Sequence, residues 1–120
     1  MQVIMRPGIL LRVEGGAVLV AALLLYAQTG GDWLFFVLLI LAPDLSALGY
    51  LAGPVVGSIT YNLIHNYALP LALALYGVLG PNSFALAVAL IWLAHIGGDR
   101  LLGYGLKYPS GFRDNHLHRV

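Results

Sequence analysis

Four side chains set in otherwise apolar stretches hold most of the chemistry this sequence could do: Asp44, His65, His95 and Asp99. Neutral imidazole and carboxylate together suit zinc, iron or manganese. A catalytic zinc takes three protein ligands and keeps one position for water, whose pKa falls to about 7. On that reading His65 and His95 are ligands, joined by Asp44 or Asp99. The other carboxylate is then the base or a support for the ligands. The spacing is not the H-E-x-x-H of zinc proteases. The metal reading therefore rests on residue chemistry and depth rather than on a motif.

Helical spacing groups these residues with others. Positions three and four apart share a helix face. His95 and Asp99 are four apart, as are Tyr61 and His65, and Ser58, Asn62 and Asn66 form a second stripe beside the latter pair. Polar groups inside lipid are expensive and face a bundle interior or a cavity. Glu14, Tyr61, Asn62 and Arg100 are accordingly expected to bind substrate or to orient the ligands.

Two other readings use the same residues. In the first, Arg100 neutralises Asp44 or Asp99, Asp99 orients His95, and the network only holds helices together. Such bonds contribute roughly 0.6 kcal/mol each in membranes. In the second, Asp and His relay protons. The outer half of the bundle offers no ionisable residue to continue that path.

The elements that position these groups follow from composition. Charged residues make up 9% of the 120-residue chain and hydrophobic ones 60%, against about 25% charged in soluble domains. Too little charge is present to wet a small soluble protein, so lipid is the expected solvent. A net charge of +1 argues against nucleic acid, which needs a basic patch. The absence of cysteine excludes disulfides and thiolate metal sites. The first apolar run lacks a small-x-small cleavage pattern and reads as a retained helix.

A spanning helix needs about 20 mostly apolar residues. The sequence predicts four, over residues 9–28, 33–51, 55–79 and 84–106, followed by a polar tail over 107–120. Continuously apolar runs such as 34–42 exclude the alternation of barrel strands. The expected fold is an all-α membrane protein, a four-transmembrane-helix bundle in a single domain. Arg6 and Arg12 stand at its start, and Lys107, Arg113 and Arg119 follow span four. The turns after spans one and three carry no Lys or Arg. The positive-inside rule then puts both termini in the cytoplasm, with the protein multi-pass in a plasma (inner) membrane. All the polar groups named above then fall in the cytoplasmic half, as one pocket walled by spans two, three and four.

Smaller features carry their own expectations. Pro70 should kink span three. Pro43-Asp44 should simply kink span two, with a freed carbonyl lining a cavity as the alternative. Gly49, Gly53 and Gly57 read as a turn at Gly53-Pro54 rather than as a packing stripe. Gly97 and Gly98 allow close approach of a helix or a ligand. Asp44 to Tyr50 echoes Asp99 to Tyr104, each with an Asp before Gly-Tyr. The tail residues Arg113, Asp114, His116 and His118 read as a solvated end.

Several runs together resemble a bacterial family of small membrane proteins, domain of unknown function family 4260. They are Arg12-Val13-Glu14-Gly15, Pro43-Asp44 with Gly49-Tyr50, Tyr61-Asn62 with His65, and the long run from His95 to Tyr108, followed by Gly111-Phe112 and His116-Leu117. The resemblance covers nearly the whole chain. It implies a membrane location and a unit of about this length, and it implies no activity. In that family a bulkier residue often stands at the place of Gly98, and Thr often at the place of Asn115, which argues against a strict role for the Asn115 side chain. By arrangement alone, a Pro-Asp helix with separated histidines is similar to membrane metal-dependent hydrolases induced by DNA damage, although their paired Asp and His-Arg motifs are absent here.

The sequence thus points to a metal-dependent membrane hydrolase acting on a lipid or amphiphile, with a divalent metal such as zinc. The alternative is a non-catalytic accessory or structural membrane protein. A homo-oligomer would enlarge the pocket, though no residue pattern demands one. Replacing either histidine separates the two readings. Metal binding should vanish with the fold intact on the first, and the bundle should mainly lose stability on the second.

Overall fold

In the computed structural model, residues 7–103 are described. Arg6, the end of the expected fourth span and the polar tail with Arg113, Asp114, His116 and His118 lie outside them. The chain forms α1 (Pro7–Gln28), α2 (Trp33–Leu39), a 3₁₀ helix (Ala42–Ala52), α3 (Pro54–Ile64), α4 (Ala68–Leu79) and α5 (Ser83–Leu102). Four helical stretches are long and apolar enough to cross a membrane: Pro7–Gln28, Trp33–Ala52, Pro54–Leu79 and Ser83–Leu102. Leucines such as Leu38, Leu51, Leu79 and Leu102 stand on the outer surface, where lipid rather than water is the compatible neighbour.

Local chemistry sets the ends of these elements. Asp32 caps α2 by accepting from the Leu34 N–H at 2.9 Å. Asn82 caps α5 by accepting from the Ala85 N–H at 3.0 Å. Both satisfy amides that the first helical turn leaves without partners. Tyr26, fully buried, donates its hydroxyl to the Asp32 carbonyl at 2.6 Å and packs edge-on against Trp33 and Phe36. That aromatic group fixes the turn between α1 and α2.

The centre of the molecule is α5, which packs along α1, on α4 and against part of α2. Its residues Leu90, Ile91, Leu93 and Ala94 form a core with Ala22 and Tyr26 of α1. The α1–α5 contact is close because of glycine. A Cβ on Gly97 would lie 2.6 Å from the Gly15 carbonyl oxygen and 2.8 Å from the Leu19 nitrogen, and one on Gly15 would collide with the Arg100 Cβ. Small residues let membrane helices approach in this way. Nothing lies within 4 Å of a Cβ on Gly98, so of the two adjacent glycines only Gly97 serves the packing.

Two prolines break their spans, and both breaks matter to the site. Pro43 has no N–H to give, and the chain tightens from there. The Asp44 N–H reaches back three residues to Leu41 at 3.1 Å, leaving the Ile40 carbonyl for other partners. The 3₁₀ stretch then runs for 11 residues, well beyond the three or four at which such helices usually stop. The interruption near Pro70 falls at residues 65–67, between α3 and α4. Proline cannot bond the carbonyl four residues before it, which is that of Asn66. The Asn66 side chain closes the gap locally, donating to the Asn62 and Leu63 carbonyls and accepting from the Ala68 N–H.

The glycine series 49, 53 and 57 does more than make a turn. Gly53 does turn the chain, with φ +118°. A Cβ on Gly49 would collide with Thr60, and one on Gly57 with the Tyr50 ring. These two glycines let the 3₁₀ helix and α3 close into a tight hairpin, which corrects the expectation of a turn alone. The echo between residues 44–50 and 99–104 does not extend to the backbone either. Asp44 opens a 3₁₀ helix, whereas Asp99 lies in an α-helix that Gly103 ends at φ +96°.

Gly97→Ala should destabilise the bundle by about 1–3 kcal/mol through overpacking. Gly98→Ala should leave stability unchanged or raise it by up to about 1 kcal/mol through helix propensity. Thermal unfolding of the two variants in mild detergent checks this contrast.

Candidate metal centre

Three segments deliver the four donors. Asp44 comes from the first turn of the 3₁₀ helix, His65 from the break after α3, and His95 and Asp99 from successive turns of α5. One ligand atom of each lies within 4.8 Å of every other. The His65 and His95 Nε2 atoms are 3.2 Å apart. Asp44 Oδ1 stands 3.2 Å from His65 Nε2 and 3.0 Å from His95 Nε2. Asp99 Oδ2 stands 3.6 Å and 3.1 Å from the same two atoms. Zinc bonds of 2.0–2.1 Å at tetrahedral angles put ligand atoms about 3.3–3.4 Å apart, so these separations match a metal-sized cage.

The hydrogen bonds on the far side of each ring define its near side. His95 Nδ1 faces the Ile40 carbonyl at 2.5 Å, and His65 Nδ1 faces the Tyr61 carbonyl at 3.0 Å. A carbonyl only accepts, so each Nδ1 carries the proton and donates it. In a neutral imidazole the Nε2 is then a bare lone pair. With both imidazoles neutral, two lone pairs and two carboxylate oxygens converge on one point. Metal-binding histidines are held in just this way, by an outer N–H given to a carbonyl or carboxylate.

Both rings are held firmly. His65 and His95 are buried, at 2% and 6% exposure. The Tyr61 ring stacks on His65 at 3.6 Å between centroids and 5° between planes. Ser46 gives its hydroxyl proton to the Pro43 carbonyl at 2.8 Å and lies 3.3 Å from His65 Nδ1. The two carbonyls freed at the break in span three are taken up by α5. Trp92 donates its indole N–H to Ile64 at 2.6 Å, and Arg100 donates to His65 at 3.0 Å.

The side chain of Asp44 is half exposed, against 22% for Asp99. The cluster is therefore open on the Asp44 side and closed by α5 on the other.

The profile of a family described as Domain of unknown function (DUF4260) matches residues 8–120. The chain belongs to this family. No curated protein and no solved structure gives a match.

Structure and sequence reasoning differ over the supporting residues in this DUF4260 chain. On the helix-holding reading Arg100 neutralises Asp44 or Asp99. Among the described residues the ion pairs within 4 Å join only His65 and His95 to the two aspartates. Arg100, buried at 7% exposure, instead binds the His65 backbone and lies 5.7 Å from the centre of the Tyr67 ring. Its reach explains the difference, because the break in span three leaves a bare carbonyl in its path. Glu14 is exposed on α1 and stands apart from the four-donor cluster. Asn62 is half-buried on α3, where its carbonyl accepts from Asn66. Ser58 is spent on its own helix, donating to Val55 at 2.9 Å, so the Ser58-Asn62-Asn66 stripe builds the hairpin and its break. Pro43 does free a carbonyl, that of Ile40, and His95 uses it, which corrects the expectation of a plain kink.

Sequence reasoning passed over Trp92 and the two backbone carbonyls. Trp92 could have been noticed as an indole N–H in mid-span, one turn before His95, where such a donor needs a partner. Trp92→Phe should leave the Ile64 carbonyl without its donor and cost about 1–3 kcal/mol. Thermal unfolding should show the loss, while Trp33→Phe, removing the more exposed indole at the α1–α2 turn, should cost less.

Proposed function

We propose that the chain is a metal-dependent membrane hydrolase acting on a lipid or amphiphile. The observation that carries this reading is the set of four converging acceptors. His65 Nε2, His95 Nε2 and Asp44 Oδ1 form a triangle with sides of 3.0–3.2 Å, and these are the first ligands. Asp99, farther from His65 at 3.6 Å, lies beside the remaining position as fourth ligand or base. A divalent metal there would lower the pKa of a bound water to about 7 and polarise an ester or phosphoryl oxygen. Asp99 would hold the proton as the base beside such a metal. Asp44, on the open side, is the residue an incoming polar group meets.

Arg100 and Tyr61 are positioning residues in this scheme. One holds the backbone of His65 and the other its ring. The basic residues near both chain ends support an orientation with the termini and the cluster toward the cytoplasm of a bacterial plasma membrane. The four apolar helices support the membrane location itself.

The decisive measurement is metal content by mass spectrometry on protein purified in mild detergent without a His-tag. About one zinc per chain is expected, and His65→Ala and His95→Ala should each lower it at least tenfold with thermal unfolding still cooperative. Asp44→Asn should weaken metal binding by a smaller factor, because an amide oxygen still reaches the site. Iron in place of zinc, which a two-histidine, one-carboxylate face also suits, would move the reaction from hydrolysis to oxygen chemistry. No metal after reconstitution, with the bundle destabilised in both histidine variants, would leave the cluster as a helix-holding network.

A further inference from the structure

A cavity of about 240 Å³ lies beside the four-donor cluster, lined not by the donors themselves but by residues next to three of them. Its walls are the sequence and helical neighbours of the donors. Pro43 precedes Asp44, Ile64 precedes His65, and Ile91 stands one helical turn before His95. From there the cavity continues past Trp92 to Val88, with Ala42 opposite. At 1.5 Å per residue, Val88 to His95 spans about 10 Å, the length of roughly eight carbons of extended chain. The slot is therefore apolar throughout, with one end nearest the cluster and its body pointing away from it along α5.

The walls offer no hydrogen bond to an occupant. The one polar side-chain group among them, the Trp92 indole N–H, is already given to the Ile64 carbonyl. Water would find no partners in such a space. A polar ligand could satisfy itself at the cluster but not in the slot. Only a molecule with a polar end and an apolar continuation matches both. The volume suits one chain rather than two side by side.

We propose that this slot holds a single alkyl chain of an amphiphile whose polar end lies on the four-donor cluster, an inference that rests on the metal reading above. The substrate class narrows accordingly. It is an amphiphile whose cleavable polar bond is attached directly to one straight chain that enters the protein, and the slot measures that chain over about its first eight carbons. A second chain, if the amphiphile has one, stays in the lipid outside α2 and the 3₁₀ helix.

The test uses a chelating probe with a reporter at its far end. Of the two tryptophans, Trp33 is removed as Trp33→Phe, which leaves Trp92 as the only indole. The protein is loaded with cobalt(II) in lipid nanodiscs, so that the visible spectrum of the metal reports binding of the polar end. The probes are acetohydroxamate, 8-bromooctanohydroxamate and 8-bromooctanol, bromine being a contact quencher of indole fluorescence. The bromoalkyl hydroxamate should shift the cobalt spectrum and quench Trp92 at least twofold, saturating at one equivalent. The bromoalcohol should give only weak quenching that rises linearly. Ala42→Phe and Val88→Phe, filling the slot from opposite walls, should each abolish the saturable quenching and keep the cobalt response to acetohydroxamate.

Two results would overturn the proposal, and they are distinguishable. A cobalt response to the bromoalkyl hydroxamate without saturable quenching, or with quenching unchanged in both Phe variants, would show that the chain lies in the lipid while the metal centre stands. A protein that takes up no cobalt and gives no response to acetohydroxamate would remove the metal reading and this inference together.

Discussion

Four acceptor atoms separated by little more than van der Waals distance repel one another unless positive charge sits among them. This constraint governs the whole arrangement. The backbones of α3 and the 3₁₀ helix pack closely on each other and only marginally on α5. Side chains and single carbonyls make most of the junction between that hairpin and α5: His65 with His95, Asp44 with His95, Asp99 with His65, Trp92 with Ile64, Arg100 with His65, and His95 with Ile40. In a lipid environment, with no hydrophobic force between helices, such contacts decide association. A cation at the centre would turn the most repulsive part of the junction into its strongest.

The helix breaks belong to the same design. A regular helix spends every interior carbonyl on its own amides and has none left for a neighbour. Pro43 and the interruption at residues 65–67 release three carbonyls, and each is used. Ile40 orients His95, while Ile64 and His65 receive Trp92 and Arg100. Irregular backbone at membrane depth is tolerated only where protein or a cavity satisfies it. Here that cost is offset by the fixed orientation of two imidazole rings.

How much of this was legible in the sequence depends on the kind of interaction. The four apolar stretches, the helical class and the grouping of Asp44, His65, His95 and Asp99 follow from composition, depth and i, i+4 spacing, because those rules act through side-chain type. The turn at Gly53 and the interruption near Pro70 were readable for the same reason. The partner of Arg100 was not, because it is a backbone carbonyl, and a sequence does not show which carbonyls a break will expose. Glu14 is exposed on α1, and its rotation about the helix axis is not legible in the sequence as its depth is. The packing at Gly49 and Gly57 was not legible, because it depends on Thr60 and Tyr50 meeting them across the hairpin.

The interruption in the third span also bears on how the chain is made. His65 and its neighbouring carbonyls leave the ribosome before any residue of α5 exists. Until Trp92, His95 and Arg100 follow, the first three spans hold polar groups with no partner in hydrocarbon, where each such group is costly. The hairpin of the 3₁₀ helix and α3 therefore reaches its satisfied form only when the last span is present, with α5 serving as the key that completes it.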